Sequence, residues 1–459
     1  MRTIRTALLL SALTVAGCLG ADDQTDTQEE AASSRVALDV LMSRFPDSAM
    51  KAQLSQYGRI NDTFTSIPAV TLVTTVSQVA AVRALPFVVS ATPDTERDGA
   101  PVDTVQATDF TGGINTWDHD AINVSNFGAG RTVAETGAGV YVAILDTGLM
   151  DSWKQYFPQE RIATQYARAF GGGGGEAGSV SSQPEKWGKD VNGHGTHVTS
   201  TILGYSLRGV PVGGAAPMAT VIPVKVLNQN GSGWSSVVAR GIVYVGDLKA
   251  GPLANVPVVI NMSLGGPGLD ALEKAAIDYA VGKGVIIVAA AGNEGTDGMG
   301  YPGAYAPVIS VAAAGWTGEW VGGGSWWYGK DVPEADASSF YITDFSSRQL
   351  AGQDLDVAAP GSWVVGPYQV NQGQTAYYFL GGTSMASPHV AGLVALLCQA
   401  DPSLNAADAE AVLSGTALPL PAGSRTIFGP DGIATQVTWG NDASGAGLVD
   451  AAAALAAVK

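Results

Sequence analysis

The chain has 459 residues, of which 46% are hydrophobic and only 14% are charged. This length allows one large α/β domain plus a smaller one, and the apolar content excludes wholesale disorder. Lys and Arg number 24 against 41 Asp and Glu, so the net charge is −17. That charge disfavours nucleic acids and anionic membrane surfaces as partners.

The first 18 residues have the pattern of an export signal. Two arginines precede an apolar stretch that is too short to span a bilayer as a mature helix. The stretch ends in VAGC, with Cys18 last, and this tetrapeptide resembles the lipobox of bacterial lipoproteins, in which the cysteine is diacylated and becomes the new N-terminus. We therefore predict a lipoprotein signal peptide over residues 1–18, lipidated at Cys18, and an acidic tether over residues 19–32. An ordinary signal peptide with an incidental cysteine is the alternative.

The second cysteine, Cys398, lies in an apolar helical run. We expect it to be a buried small hydrophobic side chain rather than a reactive thiolate. With Cys18 processed, no intrachain disulfide is expected.

Residues 33–100 are predicted to form a small α+β unit of their own. RVALDVLMSRF has helical spacing, AVTLVTT and FVVSATPD have the composition of strands, and VSQVAAVRAL has that of a helix. The helix followed by LPFVVSATPD resembles the inhibitory prodomain of subtilisin-like proteases. The resemblance implies that this unit inhibits the rest of the chain, and a spacer without an inhibitory role is the alternative. The polar, turn-rich residues 101–130 are expected to be a linker and processing zone.

Strands and helices are predicted to alternate along residues 131–459. The apolar segments VYVAILD, TVIPVKVL, VPVVINMSLG and VIIVAAAGN alternate with the helical segments HGTHVTSTILG, SSVVARGIVYV and DALEKAAIDYAVGKG. Strands that are apolar along their whole length imply an α/β fold with a mostly parallel sheet covered by helices on both faces. Ligand sites in such sheets lie beyond the carboxyl ends of the strands, which is where Asp146, Ser263 and Asn293 fall.

A Gly-rich and Trp-rich stretch interrupts this alternation at residues 315–330 and holds four of the ten tryptophans. An exposed aromatic patch that grips a substrate or polymer is one interpretation. We favour the other, in which the rings of this insertion pack onto the domain.

The chain has four histidines, and a general base that works near neutral pH is most often histidine. His194 in NGHGTHV is the favoured base, because its glycine neighbours carry no side chain that would obstruct a ligand. His119 lies in a polar stretch and is expected at the surface, whereas His197 and His389 are expected to be structural. A zinc site shared by His194 and His197 is disfavoured, since no further ligand follows at the spacing of a zinc motif.

Three further residues have the chemistry that such a base needs. Asp146 in AILDTG could orient an imidazole, although Asp followed by Thr-Gly is also ordinary turn chemistry. Asn293 in AAAGNEG could donate to an oxyanion, and a Gly-Asn turn is its alternative. Ser384 in GGTSMASPHVAG stands at a predicted helix start among free N–H groups, where it could act as a nucleophile.

AILDTG, NGHGTHV, AAAGNEG and GGTSMASPHVAG occur in the chain order of the subtilisin-like serine proteases, and the chain is identified as a member of that family from about residue 130 to its end. The resemblance implies that Asp146 orients His194, that His194 is the general base and acid, and that Ser384 is the nucleophile. It also implies that Asn293 and the Ser384 N–H stabilise the oxyanion.

The same resemblance implies that two short segments form the edges of a substrate cleft. Extended, glycine-rich edges can pair with a peptide backbone as added strands. The small residues of the Ser263 segment favour a roomy first pocket that tolerates apolar side chains. No acidic residue in these edges selects Lys or Arg, although a distant loop could supply one. The predicted substrate-binding residues are Gly231, Ser232, Gly233, Ser263, Leu264, Gly265 and Gly266.

The sequence thus predicts an exported, lipid-anchored serine endopeptidase, made as a zymogen and monomeric, that acts on polypeptides and contacts the membrane only through its anchor. No cofactor is expected for the chemistry. Structural calcium is left open without ligands, because Asp151 only approximates a calcium-binding position of the family. A catalytically idle, surface-anchored binding protein on the same fold is the alternative function.

Overall fold

The computed structural model describes residues 34–99, 101–106, 115–174, 178–369 and 376–458. Residues 1–33, with the predicted signal peptide, the tether and Cys18, lie outside this range. The α-helices in the described residues are α1 (Ser48–Leu54), α2 (Val79–Arg83), α3 (Trp117–Asp120), α4 (His194–Leu203), α5 (Ser235–Ala250), α6 (Ala271–Gly282), α7 (Thr383–Ala400), α8 (Ala406–Thr416) and α9 (Ala451–Ala457).

The strands of the described residues form seven separate sheets. The first half of the chain contains β1 (Arg35–Met42), β2 (Gly58–Thr63), β3 (Ala69–Thr75), β4 (Val88–Pro93), β5 (Glu96–Asp98), β6 (Asp103–Gln106), β7 (Ser125–Asn126), β8 (Gly130–Arg131), β9 (Tyr141–Asp146), β10 (Arg168–Ala169), β11 (Tyr205–Leu207), β12 (Val210–Val212) and β13 (Thr220–Lys225). The second half contains β14 (Ser232–Trp234), β15 (Val258–Met262), β16 (Val285–Ala290), β17 (Ile309–Trp316), β18 (Phe340–Ile342), β19 (Val357–Pro360), β20 (Val364–Tyr368), β21 (Ala376–Gly381), β22 (Gly423–Phe428) and β23 (Ala434–Trp439).

The N-terminal unit is an antiparallel sheet in the order β2-β3-β1-β4. The prediction of a helix over RVALDVLMSRF was wrong, since β1 is a central strand of this sheet. Leu38, Val40 and Met42 alternate along it and are buried in the core of the unit. The apolar residues of this segment fit both the helical and the strand period. Hydrogen bonding to strands on both sides stabilises the extended conformation.

The large sheet has the order β10-β13-β9-β15-β16-β17-β18, with β19 also paired to β17. All of its pairs are parallel except that between β17 and β18. Helices α4 and α7 contribute to the hydrophobic core on one face, and α5 and α6 contribute to the core on the other. The predicted α/β class with helices on both faces is confirmed.

Part of the stretch that was expected to be a linker over residues 101–130 is built into the globular structure. β6 pairs antiparallel with β21. Trp117 and Ile122 are buried in the same core as β9. The structure differs from the expectation here because isolated apolar residues in a polar stretch can still be covered by distant helices.

The tryptophans of the insertion at residues 315–330 pack onto the domain, as the favoured interpretation predicted, and only Trp320 is partly exposed. Trp326 and Trp327 are buried, and Trp316 joins them in the same core. The Trp326 ring stacks on Phe379 at a centroid distance of 5.9 Å. Within the part of the chain that the structure describes, no helix is both long and apolar enough to cross a bilayer.

Candidate active site

Asp146 and His194 meet at the carboxyl end of the large sheet. Asp146 is the last residue of β9, and His194 is the first residue of α4. His194 Nδ1 lies 2.9 Å from both Asp146 Oδ1 and Oδ2, and neither side chain is exposed. A carboxylate can only accept, so Nδ1 carries a proton and Nε2 is left with a lone pair.

Asp190 sets the start of the helix that carries His194. Its carboxylate accepts from Thr147 Oγ1 at 2.7 Å, from Asn192 N at 2.9 Å and from Gly193 N at 2.8 Å. Gly193 has a φ of 94°, in the left-handed region that favours glycine. Glycine at position 193 therefore permits this backbone conformation, in addition to leaving the site open.

Ser384 is the second residue of α7 and is almost completely buried. Its Oγ donates to the carbonyl of Ser263 at 3.1 Å, and Ser263 Oγ donates back to the Ser384 carbonyl at 2.7 Å. His194 Nε2 has no hydrogen-bond partner among the residues that the structure describes. The Ser384 hydroxyl is therefore bonded to Ser263 and not to the imidazole in this arrangement.

Asn293 follows β16 and lies beside the start of α7. Its Oδ1 accepts from Thr383 N at 2.9 Å and from Thr383 Oγ1 at 3.0 Å. These two bonds fix the amide orientation, so that Nδ2 is the end left to donate. An amide donor is thereby held next to the Ser384 backbone.

His119 is buried, and its expected surface position was wrong. Its Nδ1 lies 2.8 Å from Thr116 Oγ1, and its Nε2 lies 3.2 Å from the carbonyl of Thr201. Burial lowers the pKa of His119 to about 4, so the ring is neutral near pH 7. The polar sequence around it gave no sign that α4 covers this segment.

His197 and His389 are buried, and each ring is hydrogen-bonded within the protein, which fits the structural role expected of them. His197 Nε2 lies 3.1 Å from the carbonyl of Val364, and burial lowers the pKa of this ring to about 3. His389 lies 2.9 Å from the carbonyl of Met385 through Nδ1 and 2.9 Å from Asp118 Oδ2 through Nε2. Each ring therefore already has a hydrogen-bond partner within the protein.

The predicted cleft edges hold a strand of the chain itself. β5 pairs antiparallel with β14, and Asp98 exchanges two hydrogen bonds of 2.9 Å each with Gly265 on the opposite edge. Gly99 N donates to the carbonyl of Gly231 at 2.9 Å. Residues 96–99 thus lie between both glycine-rich edges in the manner of an added strand.

This strand runs directly into the candidate site. A side chain at Gly99 would come within 3.5 Å of His194 Cε1 and 2.8 Å of the Ser263 carbonyl oxygen. On the side of the site nearer Ser384, Val102 N donates to the carbonyl of Gly381 at 2.9 Å. Gly99 and Val102 therefore flank the candidate site.

Comparison with protein-family models matches residues 137–444, more than half of the chain, to the Subtilase family. The chain belongs to the subtilase family. Subtilisin DY of Bacillus licheniformis is 37% identical over 285 residues, which cover 61% of this chain and 84% of that protein. Subtilisin Savinase of Lederbergia lenta is 36% identical over 294 residues, which cover 64% and 88%. The protein is a subtilisin-like serine endopeptidase.

Solved structures agree on the fold of this subtilase. Sphericase matches with a TM-score of 0.53 at 29% identity, over 73% of this chain and 97% of that chain. Fervidolysin from Fervidobacterium pennivorans, a keratinolytic enzyme related to subtilisin, matches with a TM-score of 0.64 at 23% identity, over 92% of this chain and 61% of that chain. The fervidolysin match supports the fold alone.

Sequence reasoning missed an acidic pocket in the cleft of this subtilase. Arg97 on β5 is fully buried against Glu273, which lies on α6, and against Asp270, which precedes α6. The pairing was invisible because 176 residues separate Arg97 from Glu273. An acid in the first turn of an amphipathic helix is also typical of a solvated helix start.

Subtilases often bind structural calcium, and the one position that the sequence suggested does not fit. The Asp151 carboxylate forms a surface ion pair with Lys189 at 3.0 Å. The segment GYSLRGV, which follows α4, forms most of the hairpin of β11 and β12 and contains no acidic side chain. We assign no calcium ligands.

Proposed function

We propose that this protein is an exported endopeptidase, made as an autoinhibited zymogen, in which Ser384, His194 and Asp146 form the catalytic triad. The buried contact between His194 and Asp146 is the observation that carries the proposal. Ser384 Oγ donates to the Ser263 carbonyl oxygen, and a side chain at Gly99 would lie 2.8 Å from the same oxygen, which supports a common reaction site.

In the proposed reaction, the Ser384 hydroxyl rotates from Ser263 towards His194 Nε2 and gives up its proton as Oγ attacks a peptide carbonyl carbon. Asp146 stabilises the imidazolium that forms. Nδ2 of Asn293 and the N–H of Ser384 donate to the oxyanion. His194 then protonates the leaving amine, and the C–N bond breaks to leave an acyl-enzyme. Water, deprotonated by His194, attacks the ester and releases the acid together with the restored hydroxyl.

The N-terminal unit, residues 33–100 in the sequence prediction, is the proposed intramolecular inhibitor. The strand at residues 96–99 fills the cleft through backbone pairing, so a substrate cannot enter while it is bound. The rest of the unit docks on the start of α5, where the Asp94 carboxylate accepts from Ser236 N at 3.0 Å and from Ser235 Oγ at 2.9 Å. An acidic group at a helix N-terminus is favourable in itself.

Export and lipidation at Cys18 belong to the same proposal and rest on the sequence pattern. Cleavage between Gly99 and Val102 would release the catalytic unit from its tether. Mass spectrometry of the active species decides both points. A mature N-terminus in that interval is expected, and a diacylated Cys18 is expected on the fragment that is removed.

The decisive test compares the wild-type protein with Ser384→Ala. The wild type is expected to cleave its own chain, to hydrolyse peptides and to react covalently with a fluorophosphonate probe, and the variant should do none of these. Peptide hydrolysis that survives in Ser384→Ala would overturn the nucleophile assignment. A wild-type protein that binds peptides but neither cleaves them nor takes the probe would favour the catalytically idle binding protein.

A further inference from the structure

The Arg97 side chain makes five hydrogen bonds in addition to the backbone pairing of β5. Its Nε donates to Glu273 Oε1 at 3.2 Å, and its Nη2 donates to Glu273 Oε2 at 2.5 Å and to the carbonyl of Gly268 at 2.7 Å. Its Nη1 donates to Thr95 Oγ1 at 2.7 Å and to the carbonyl of Glu96 at 3.1 Å. The guanidinium thus makes a two-point contact with one carboxylate, which is the geometry that distinguishes Arg from Lys.

The pocket around this guanidinium is shaped for it. A side chain at Gly266 would lie 2.7 Å from Arg97 Nη1 and 2.5 Å from the carbonyl oxygen of Glu96, so glycine leaves the necessary space. Asp270 adds a second negative charge, since its Oδ2 lies 3.8 Å from Arg97 Nη2. That Oδ2 has no hydrogen-bond partner among the described residues. Asp270 Oδ1 is used instead to cap α6.

The acceptors that select the arginine belong to the enzyme rather than to the inhibitor. Glu273, Asp270 and the Gly268 carbonyl all follow the cleft edge in sequence and stay with the catalytic unit after cleavage near Gly99. Only the Thr95 and Glu96 contacts come from the bound strand itself. Burial raises the pKa of Glu273 to about 7, and the charge of Arg97 counteracts this rise.

A neutral side chain in this position would leave the Glu273 carboxyl without its charged partner, so the group would either stay ionised and buried or take up a proton. Either outcome costs free energy near neutral pH and loses the paired hydrogen bonds that the guanidinium donates. An arginine side chain satisfies the carboxylate and also packs its stem along Gly266. The pocket therefore discriminates by charge and shape together.

We propose that this pocket, formed by Glu273, Asp270 and Gly266, makes the enzyme select peptides with an arginine in the position that Arg97 occupies. This position lies two residues before the one that Gly99 occupies beside His194. The inference rests on the proposed function, because it treats the strand at residues 96–99 as occupying the path of a substrate. It adds a side-chain preference that the glycine-rich edges alone do not provide. The competing interpretation is that Glu273 serves only to lock the N-terminal unit in place.

The test uses matured enzyme from the full chain and internally quenched peptides of the sequence Thr-Glu-Xaa-Asp-Gly-Ala-Ser-Val-Asp. This sequence is that of residues 95–103 with Pro101→Ser, which keeps every bond between Gly99 and Val102 cleavable. Xaa is arginine, citrulline or leucine. Citrulline is the matched probe, because it keeps the shape of arginine and lacks its charge. Mass spectrometry identifies the bond that is cut.

We expect wild-type kcat/KM to be at least tenfold higher for arginine than for citrulline or leucine, and tenfold corresponds to about 1.4 kcal/mol. Glu273→Leu should remove the preference or reverse it in favour of leucine, and Glu273→Gln should weaken it. Asp278→Leu is the control, since it removes a half-exposed charge from the same helix outside the pocket. Asp278→Leu should keep the wild-type preference.

Equal cleavage of the three peptides by the wild type would overturn the pocket proposal and leave the protease assignment intact. A preference for arginine that persists in Glu273→Leu would also overturn it. If the Glu273 variants fail to mature, the wild-type comparison of arginine with citrulline still decides. A wild type that cleaves no peptide would instead count against the proposed function.

Discussion

His194 presents Nδ1 to both carboxylate oxygens of Asp146 at 2.9 Å, and the pair is completely buried. This contact selects the tautomer in which Nε2 is the base. Two oxygens on one N–H also restrict rotation of the ring, which holds Nε2 in one orientation.

Asp146→Asn is expected to reduce kcat for peptide hydrolysis by about 10⁴-fold with little change in the fold. An amide can present its NH2 to Nδ1 and thereby favour the wrong tautomer. Steady-state kinetics on the matured enzyme measure this loss, with circular dichroism to check the fold. Full activity in Asp146→Asn would show that this carboxylate does not act on His194.

Asn293→Ala is expected to lower kcat by about 10²- to 10³-fold with little change in KM, because an oxyanion donor acts mainly on the transition state. Thr383→Val is the companion variant, since it removes the hydroxyl that holds Asn293 Oδ1 but keeps the backbone N–H. Its loss of kcat should be smaller. A rise in KM with unchanged kcat in Asn293→Ala would instead indicate a role in ground-state binding.

Local pattern was sufficient to predict the strands and helices that carry Asp146, His194 and Ser384. Each of these residues stands at the end of an element with a strong apolar period, and a parallel sheet places such ends on one edge. That is why the candidate site could be proposed before its geometry was known.

Features that depend on contacts between distant segments could not be predicted in this way. The pairing of Arg97 with Glu273 joins two separate units of the fold. The burial of His119 depends on α4, whose Thr201 carbonyl lies 82 residues further along the chain. A period of apolar residues carries no information about which distant surface will cover a polar side chain.

Inhibition by the N-terminal unit is expected to weaken as the pH rises. Burial, together with Asp94, Asp270 and Glu273, raises the pKa of Asp39 well above its usual value, and only the bond from Ser235 lowers it. Burial also raises the pKa of Asp94. A carboxyl whose pKa is raised by docking holds its proton more tightly when docked. Docking is therefore strongest below the free-carboxyl pKa of about 3.9 and is lost progressively above it.

The measurement for this prediction is the peptidase activity of the matured enzyme in the presence of its released N-terminal fragment, divided at each pH by its activity without the fragment. The division removes the titration of the catalytic groups themselves. The ratio should rise with pH in the wild type, and Asp39→Asn should flatten the rise, because an amide keeps the neutral state at every pH. A ratio that does not change with pH would contradict this assignment.

Trp326→Ala is expected to destabilise the protein by about 3–5 kcal/mol, since it leaves a large cavity beside Phe379. Chemical denaturation in the Ser384→Ala background avoids self-digestion during the measurement. Val321→Ala is the control from the same insertion, because Val321 is exposed and should change the free energy of unfolding by less than about 0.5 kcal/mol. Equal effects of the two substitutions would place the Trp326 ring outside the core.

Glu319→Gln is expected to stabilise the protein above neutral pH and to have little effect at low pH. Glu319 is buried, and its oxygens accept from Trp316 N at 2.9 Å and from the Tyr341 and Ser362 hydroxyls at 2.8 Å each. Burial raises its pKa from 4.5 to about 7. The folded chain thus retains a proton that the unfolded chain loses, so this contribution to stability is complete below pH 4.5 and disappears as the pH rises through 7.

Glutamine fits the same site, because its oxygen can accept from Trp316 N while its NH2 donates to hydroxyl groups that rotate to accept. Free energies of unfolding of the two forms, measured between pH 4 and 9 in the Ser384→Ala background, should diverge above about pH 4.5. A Glu319→Gln protein that is less stable than its parent at pH 8 would mean that the three donors stabilise the ionised carboxylate by more than its burial costs.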